Sequence, residues 1–128
     1  RMPVYNDNRL FLFSPEHRRM ICDGFQSLLD ERCLSVDVVA GTSTAGIPHG
    51  IVLADRLSLP FIYIRDKPKG YGLQNQIEGI DAESDLEERI VVVIEDLIST
   101  GGSSARAVCA VRDANGRVNH CLSIFNWF

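Results

Sequence analysis

Val91-Val92-Val93-Ile94-Glu95-Asp96-Leu97-Ile98-Ser99-Thr100-Gly101-Gly102-Ser103 is the stretch on which the reading of this chain turns. Four β-branched residues lead into two adjacent carboxylates, and these lead into a loop of Ser, Thr and Gly ahead of a helical pattern. β-Branched residues favour strands, and an unbroken apolar run is the mark of a strand covered on both faces. The small-residue loop then opens a helix whose first amides have no intrahelical partner, and the helix dipole favours an anion at that end. Carboxylates repel phosphate, so the partners of Glu95 and Asp96 are hydroxyl donors or a metal ion. A sugar hydroxyl pair beside a phosphate satisfies both halves of the stretch.

Two common nucleotide motifs do not account for it. No lysine follows Gly101 or Gly102, as a phosphate-binding P-loop requires, and the adjacent glycines do not make the spaced dinucleotide fingerprint. A central strand with an ordinary polar turn is the plain alternative. It gives no reason to set two acids side by side at the sheet edge.

Working outward, strand and helix patterns alternate. Ser14 caps a helix begun by Pro15, with Ile21, Phe25, Leu28 and Leu29 on one face. Val36 to Ala40 has strand length, and Gly46 to Leu57 reads as a helix with Pro48 in its first turn. Strands are expected at Pro60 to Ile64, Arg89 to Ile94 and Val118 to Phe125. A helix is expected from Gly102 to Ala114, stopped near Asn115-Gly116. This order predicts an α/β fold with a parallel sheet, helices on both faces and ligands at the carboxyl ends of the strands.

With 128 residues the chain has the length of one domain, residues 1–128, and it shows no internal repeat. A net charge of −4 argues against nucleic acid or a membrane surface as partner. No apolar run reaches the length of a membrane span, so a cytoplasmic location is expected. Cys22, Cys33, Cys109 and Cys121 form no Cys-x-x-Cys pair and read as reduced thiols. His17, His49 and His120 lack ligand spacing, so zinc is not expected.

A second loop, Gly41 to Gly46, also follows a strand and precedes a helix, and it is also made of Gly, Ser, Thr and Ala. Two anion cradles on one sheet edge imply a ligand with phosphate at two places. Between them in sequence runs a long polar connection, Asp66 to Glu88, flanked by Arg65 and carrying Lys67, Lys69 and Gly70-Tyr71-Gly72. Such a connection reads as a basic lid or as a solvated loop.

Val91 to Ser103 resembles the phosphoribosyl-pyrophosphate (PRPP) signature of the type I phosphoribosyltransferases. Three further stretches resemble the orotate phosphoribosyltransferase branch: Pro3-Val4-Tyr5-Asn6-Asp7-Asn8-Arg9, Gly41 to Pro48, and Tyr63 to Gly72 leading to Asn75-Gln76-Ile77-Glu78-Gly79. The resemblance covers essentially the whole chain in order. It implies a type I phosphoribosyltransferase core that lacks parts of the N- and C-terminal flanking elements, and a transfer of the phosphoribosyl group from PRPP to orotate. By the same resemblance, Thr42, Ser43, Thr44 and Ala45 hold the pyrophosphate, with a cis peptide at Ser43–Thr44. Leu97, Ile98, Ser99, Thr100, Gly101, Gly102 and Ser103 line the 5-phosphate site, while Glu95 and Asp96 hold the ribose. Arg65, Lys67 and Tyr71 contact substrate, and Lys69 matches the principal catalytic lysine. Mg2+, held mainly by PRPP and near Glu95 and Asp96, and a homodimer with shared active sites are implied too.

The chain departs from that branch at Tyr71, where His is common, and at Asp66, an acid within the basic arm. A lysine and aromatic residues that contact orotate in relatives have no counterpart before Arg1. Three other readings therefore stand beside orotate transfer: a PRPP-binding regulator, an inactive shortened form, and an enzyme that uses a purine base.

Overall fold

The computed structural model describes residues 8–67, 76–80, 86–98 and 102–126, with the side chains of 8, 9, 125 and 126 left aside. A 3-10 turn, Asn8–Leu12, precedes helix α1, Pro15–Glu31, and the elements then run β1 (Val38–Thr42), α2 (Gly46–Leu57), β2 (Phe61–Ile64), β3 (Ile77–Glu78), β4 (Ile90–Ile98), α3 (Gly102–Asp113) and β5 (Arg117–Asn126). The start of α1 is the expected one: Ser14 Oγ accepts from the His17 amide at 3.3 Å, and Pro15 takes the first helical position. At the end of α3, Asn115 adopts a left-handed φ of 72°, the turn anticipated at Asn115-Gly116.

The strands form one sheet in the order β3-β2-β1-β4-β5, parallel except for the β2–β3 pair. Helices cover both faces because each central strand is apolar on both. On one side Val38, Ala40, Ile62, Val91 and Val93 pack against Ala107, Ala110 and Val111 of α3. On the other, Val39, Val92 and Ile94 meet Phe25 and Leu29 of α1 and Leu53 of α2. Arg56 of α2 pairs with Asp23 of α1 across the outer surface.

Three elements differ from the sequence expectation. β1 begins and ends two residues later than Val36 to Ala40, which carries Thr42 into the strand. β4 does not stop at Ile94 but continues to Ile98, because β5 goes on pairing with it through Glu95↔Ser123 and Leu97↔Phe125. Pairing with a neighbouring backbone outweighs the low strand preference of two acids. The connection after Asp66 is also more than a polar lid. Its Ile77 pairs with Ile64 on the sheet edge, and both Ile77 and Leu86 are buried in the α3-side core.

Candidate active site

β1 pairs with β4 only as far as Gly41↔Ile94, so the segment from Glu95 to Ile98 projects past the end of β1. The overhang places both acids at the carboxyl rim although they lie within a strand. There they stand on the strand that precedes α3, next to the strand that precedes α2. Strand alternation gives the two side chains different neighbours, although their carboxyl groups remain close enough to interact.

Asp96 is the half-exposed member and shares the α2 face with His49. Glu95 faces α3 and is buried, as are Thr42 and Ser104 beside it. Thr42 Oγ1 donates to Glu95 Oε1 at 2.6 Å, the Asp96 amide donates to the same oxygen at 3.2 Å, and Ser104 Oγ donates to Oε2 at 3.4 Å. Burial raises the Glu95 pKa, against the opposing pull of the Thr42 hydroxyl and the Asp96 amide; the neighbouring Asp96 carboxylate adds to the rise. The two acids expected to work as a pair on the sugar thus differ in burial, Glu95 buried and Asp96 half-exposed, while their carboxyl groups stay close enough to interact.

At the first loop, the Ser43–Thr44 peptide is cis, as the resemblance implied. The Ser43 amide donates to Ile64 O at 3.0 Å, fastening the loop to the end of β2. Ala45 occupies the N-cap of α2 without any side-chain cap, so capping draws on no side chain at this helix start. At the second loop, Gly102 and Ser103 open α3 and are exposed. Leu97 is exposed and Ile98 half-buried on the overhang. Ser99, Thr100 and Gly101, like Lys69 and Tyr71, lie outside the described residues.

A shallow depression joins the loops, lined by Thr42, Ser43, Arg65, Asp66, Ser103 and Arg106. Arg65 pairs with Glu78 at 3.2 Å, and its Nε is buried with no hydrogen-bond partner. Lys67, just beyond, is exposed. Two residues here were not singled out by the sequence. Arg106 stands one helical turn beyond Ser103, a spacing that brings it to the same face of α3. His49 falls on the buried face of α2 with Gly46, Gly50 and Leu53, a periodicity visible in the sequence.

His49 has its pKa lowered by burial, with the Asp96 charge opposing. A depressed folded-state value means that the unfolded chain takes up the proton first as the pH falls below the ordinary 6.5. Stability from this group is therefore complete above that value and is lost as acidification proceeds toward the folded value. Glu95 acts with the opposite sign: its raised value favours the fold below the ordinary 4.5, and that advantage disappears as the pH rises through the folded value. Urea unfolding of His49→Gln at pH 7.5 and 5.5 is expected to show a smaller acid-induced loss than the unmodified protein. An equal loss in both would remove His49 as a source.

The described residues contain no group of three or more His, Cys, Asp or Glu able to hold a metal by themselves. One half-exposed carboxylate at the rim fits a hard cation that takes most of its ligands from a substrate's phosphate oxygens and water. The four cysteines are free. Among the described residues no helix is long and apolar enough to cross a membrane.

The family model for the phosphoribosyl transferase domain matches residues 20–126. The chain is 47% identical over 127 residues to an orotate phosphoribosyltransferase of Streptococcus pneumoniae serotype 19F, covering 99% of this chain and 59% of the relative. It is 47% identical over 125 residues to one from Coxiella burnetii, covering 98% of this chain and 58% of the relative. The chain thus spans about three fifths of the length of the curated relatives it matches. Among solved structures, orotate phosphoribosyltransferase from Aeropyrum pernix superposes with a TM-score of 0.78 at 30% identity, over 93% of this chain and 64% of the other. Adenine phosphoribosyltransferase from Saccharomyces cerevisiae shares the fold, with a TM-score of 0.80 at 22% identity over 95% and 75% of the two chains.

Proposed function

The chain belongs to the phosphoribosyl transferase domain family, and from that premise we propose that it transfers the phosphoribosyl group of PRPP to orotate, giving orotidine 5'-phosphate and pyrophosphate. The carrying observation is that Asp96 lies at the sheet's carboxyl rim on the strand that precedes α3, beside the strand whose end leads into α2, each helix being preceded in the sequence by a small-residue stretch. A ribose with phosphate at one end and pyrophosphate at the other spans such a pair. Relatives named for orotate at 47% identity favour that base over a purine.

Cleavage of the anomeric C–O bond builds positive charge on the ribose and negative charge on the leaving pyrophosphate, while the orotate ring nitrogen forms the new bond. In this reading Ser99 to Ser103 hold the 5-phosphate, with Leu97 and Ile98 beneath. Thr42 to Ala45 hold the pyrophosphate through backbone amides. Asp96 accepts from ribose hydroxyls and stabilises the developing cation. Arg65, Lys67 and Lys69 balance the leaving group and Tyr71 contacts substrate; Arg106 adds a further cation at the depression. Mg2+ would bind the substrate's phosphate oxygens near Asp96 and neutralise their charge. We also propose a homodimer, in which the basic arm completes a neighbour's site, and a cytoplasmic location.

The reaction is followed by the loss of orotate ultraviolet absorbance in the presence of PRPP and Mg2+, with PRPP binding measured by calorimetry. Turnover that disappears in Lys69→Ala supports the proposal. PRPP binding without turnover would instead mark a ligand-binding regulator or an inactive form. Turnover of adenine or hypoxanthine in place of orotate would move the chain to the purine branch.

A further inference from the structure

The basic arm leaves and rejoins the sheet at one place, because β2 and β3 are antiparallel neighbours. Tyr63↔Glu78 and Ile64↔Ile77 are in register, and the Arg65 amide donates to Gln76 O at 2.8 Å just beyond them. The returning side of this pair is held firmly. Ile77 is buried in the core, and a Cβ on Gly79, which has a φ of 111°, would stand 2.9 Å from Phe61 O. Glu78, between the two, is therefore at a fixed point, and its Oε2 accepts from Arg65 Nη1 at 3.2 Å. With side chains 38% and 34% exposed, this ion pair is open to water and adds little stability. Nor does it complete the hydrogen bonding of Arg65. Among the described residues, Arg65 Nε is the only buried side-chain nitrogen or oxygen with no partner. An unmet buried donor is costly, and a guanidinium carries its donors in one rigid plane. Holding Nη1 against Glu78 limits how that plane can turn in the depression that Ser43, Asp66 and Arg106 also line.

Resting on the functional reading above, we infer that Glu78 is a positioning residue, which pins Arg65 at the base of the arm so that its guanidinium meets the leaving pyrophosphate in one preset orientation. An unpinned arginine gives up rotamer freedom when it grips an anion, and the contact to Glu78 removes much of that cost beforehand. The device needs the planar fork of arginine. Lysine has a single ammonium and cannot keep a carboxylate and an anion in one fixed plane.

Inorganic pyrophosphate and ribose 5-phosphate, each with Mg2+, are titrated calorimetrically into the protein and its variants. Glu78→Gln keeps the shape and removes the charge; it is expected to weaken pyrophosphate about fivefold and to leave ribose 5-phosphate unchanged. In an Arg65→Ala background, itself weakened toward pyrophosphate, Glu78→Gln has no further effect, since Glu78 acts only through Arg65. Arg65→Lys loses pyrophosphate affinity by about the same factor as Glu78→Gln. Circular dichroism and the thermal midpoint identify a variant that has lost its fold. Should Glu78→Gln do so, Arg65→Lys carries the test, and full pyrophosphate affinity in that variant overturns the inference. Unchanged or tighter pyrophosphate binding in Glu78→Gln, equal losses for both ligands, or losses that add to those of Arg65→Ala overturn it while the functional reading stands. Failure of the unmodified protein to bind either ligand overturns the functional reading, and this inference with it.

Discussion

Asp96→Asn is expected to lower kcat for orotate phosphoribosylation by about 10²–10³-fold, the usual cost of removing one electrostatic contact to a charged transition state. Asparagine keeps an oxygen that accepts from a hydroxyl, so PRPP still binds. On the proposed reading, what disappears is the negative charge opposite the ribose as its bond to pyrophosphate breaks. The loss therefore falls on kcat more than on PRPP affinity, the pattern of an interaction made mainly in the transition state. Steady-state rates from orotate absorbance, set beside calorimetric PRPP titration, separate the two quantities. A variant that keeps its rate, or that loses affinity alone, would remove Asp96 from the chemistry and leave it a binding residue. Asp96 is the place to look because β4 runs on past its pairing with β1, which carries this half-exposed acid to the sheet's carboxyl rim.

Gly46→Ala is expected to destabilise the protein by about 1–3 kcal/mol, the range for a methyl group forced into a filled space. Alanine is the better helix former, and in an open helical position it would gain about 1 kcal/mol over glycine. Here a Cβ would stand 2.4 Å from Ile94 O and 2.7 Å from Thr42 Oγ1. The carbonyl belongs to a central strand and cannot move without carrying Glu95 along, while the hydroxyl is the one that holds Glu95. Orotate turnover should therefore fall together with the urea midpoint. Gly24→Ala in α1, where an added Cβ meets nothing within 4 Å, is the matched comparison and is expected to be neutral or stabilising. If Gly46→Ala were as stable as Gly24→Ala, the close packing of α2 on β4 would not be what places the first loop.

Much of the architecture was legible because local signals agreed with one another. Ser14 and Pro15 marked the start of α1, and the α2 limits Gly46 and Leu57 fell where the pattern put them. The alternation of apolar runs with helical spacing forecast a largely parallel sheet covered on both faces. Local signals failed where a distant segment supplied the energy. Glu95 to Ile98 read as the start of a loop, since acids are poor strand formers, yet β5 continues the ladder beside them. Ile77 and Leu86 fall inside what read as a long polar connection, and their partners in the core come from β2 and α3. The site shows the same division. The acids, both loops and the basic arm stood out by residue type, whereas Arg106 and His49 did not, because a lone charge or imidazole on a helix gains meaning only from what it faces.

Residue order alone established a strand–loop–helix unit suited to a phosphorylated sugar, and a second such unit earlier in the chain. Those properties follow from backbone preference, side-chain size and charge, which each residue carries wherever it lies. Only the folded arrangement assigned the two adjacent acids to different surroundings, Glu95 buried against Thr42 and Ser104 and Asp96 at the rim near His49. The reason is that burial depends on what packs against each position, and the helices and strands that cover Glu95 but leave Asp96 at the rim are not encoded in the neighbouring sequence.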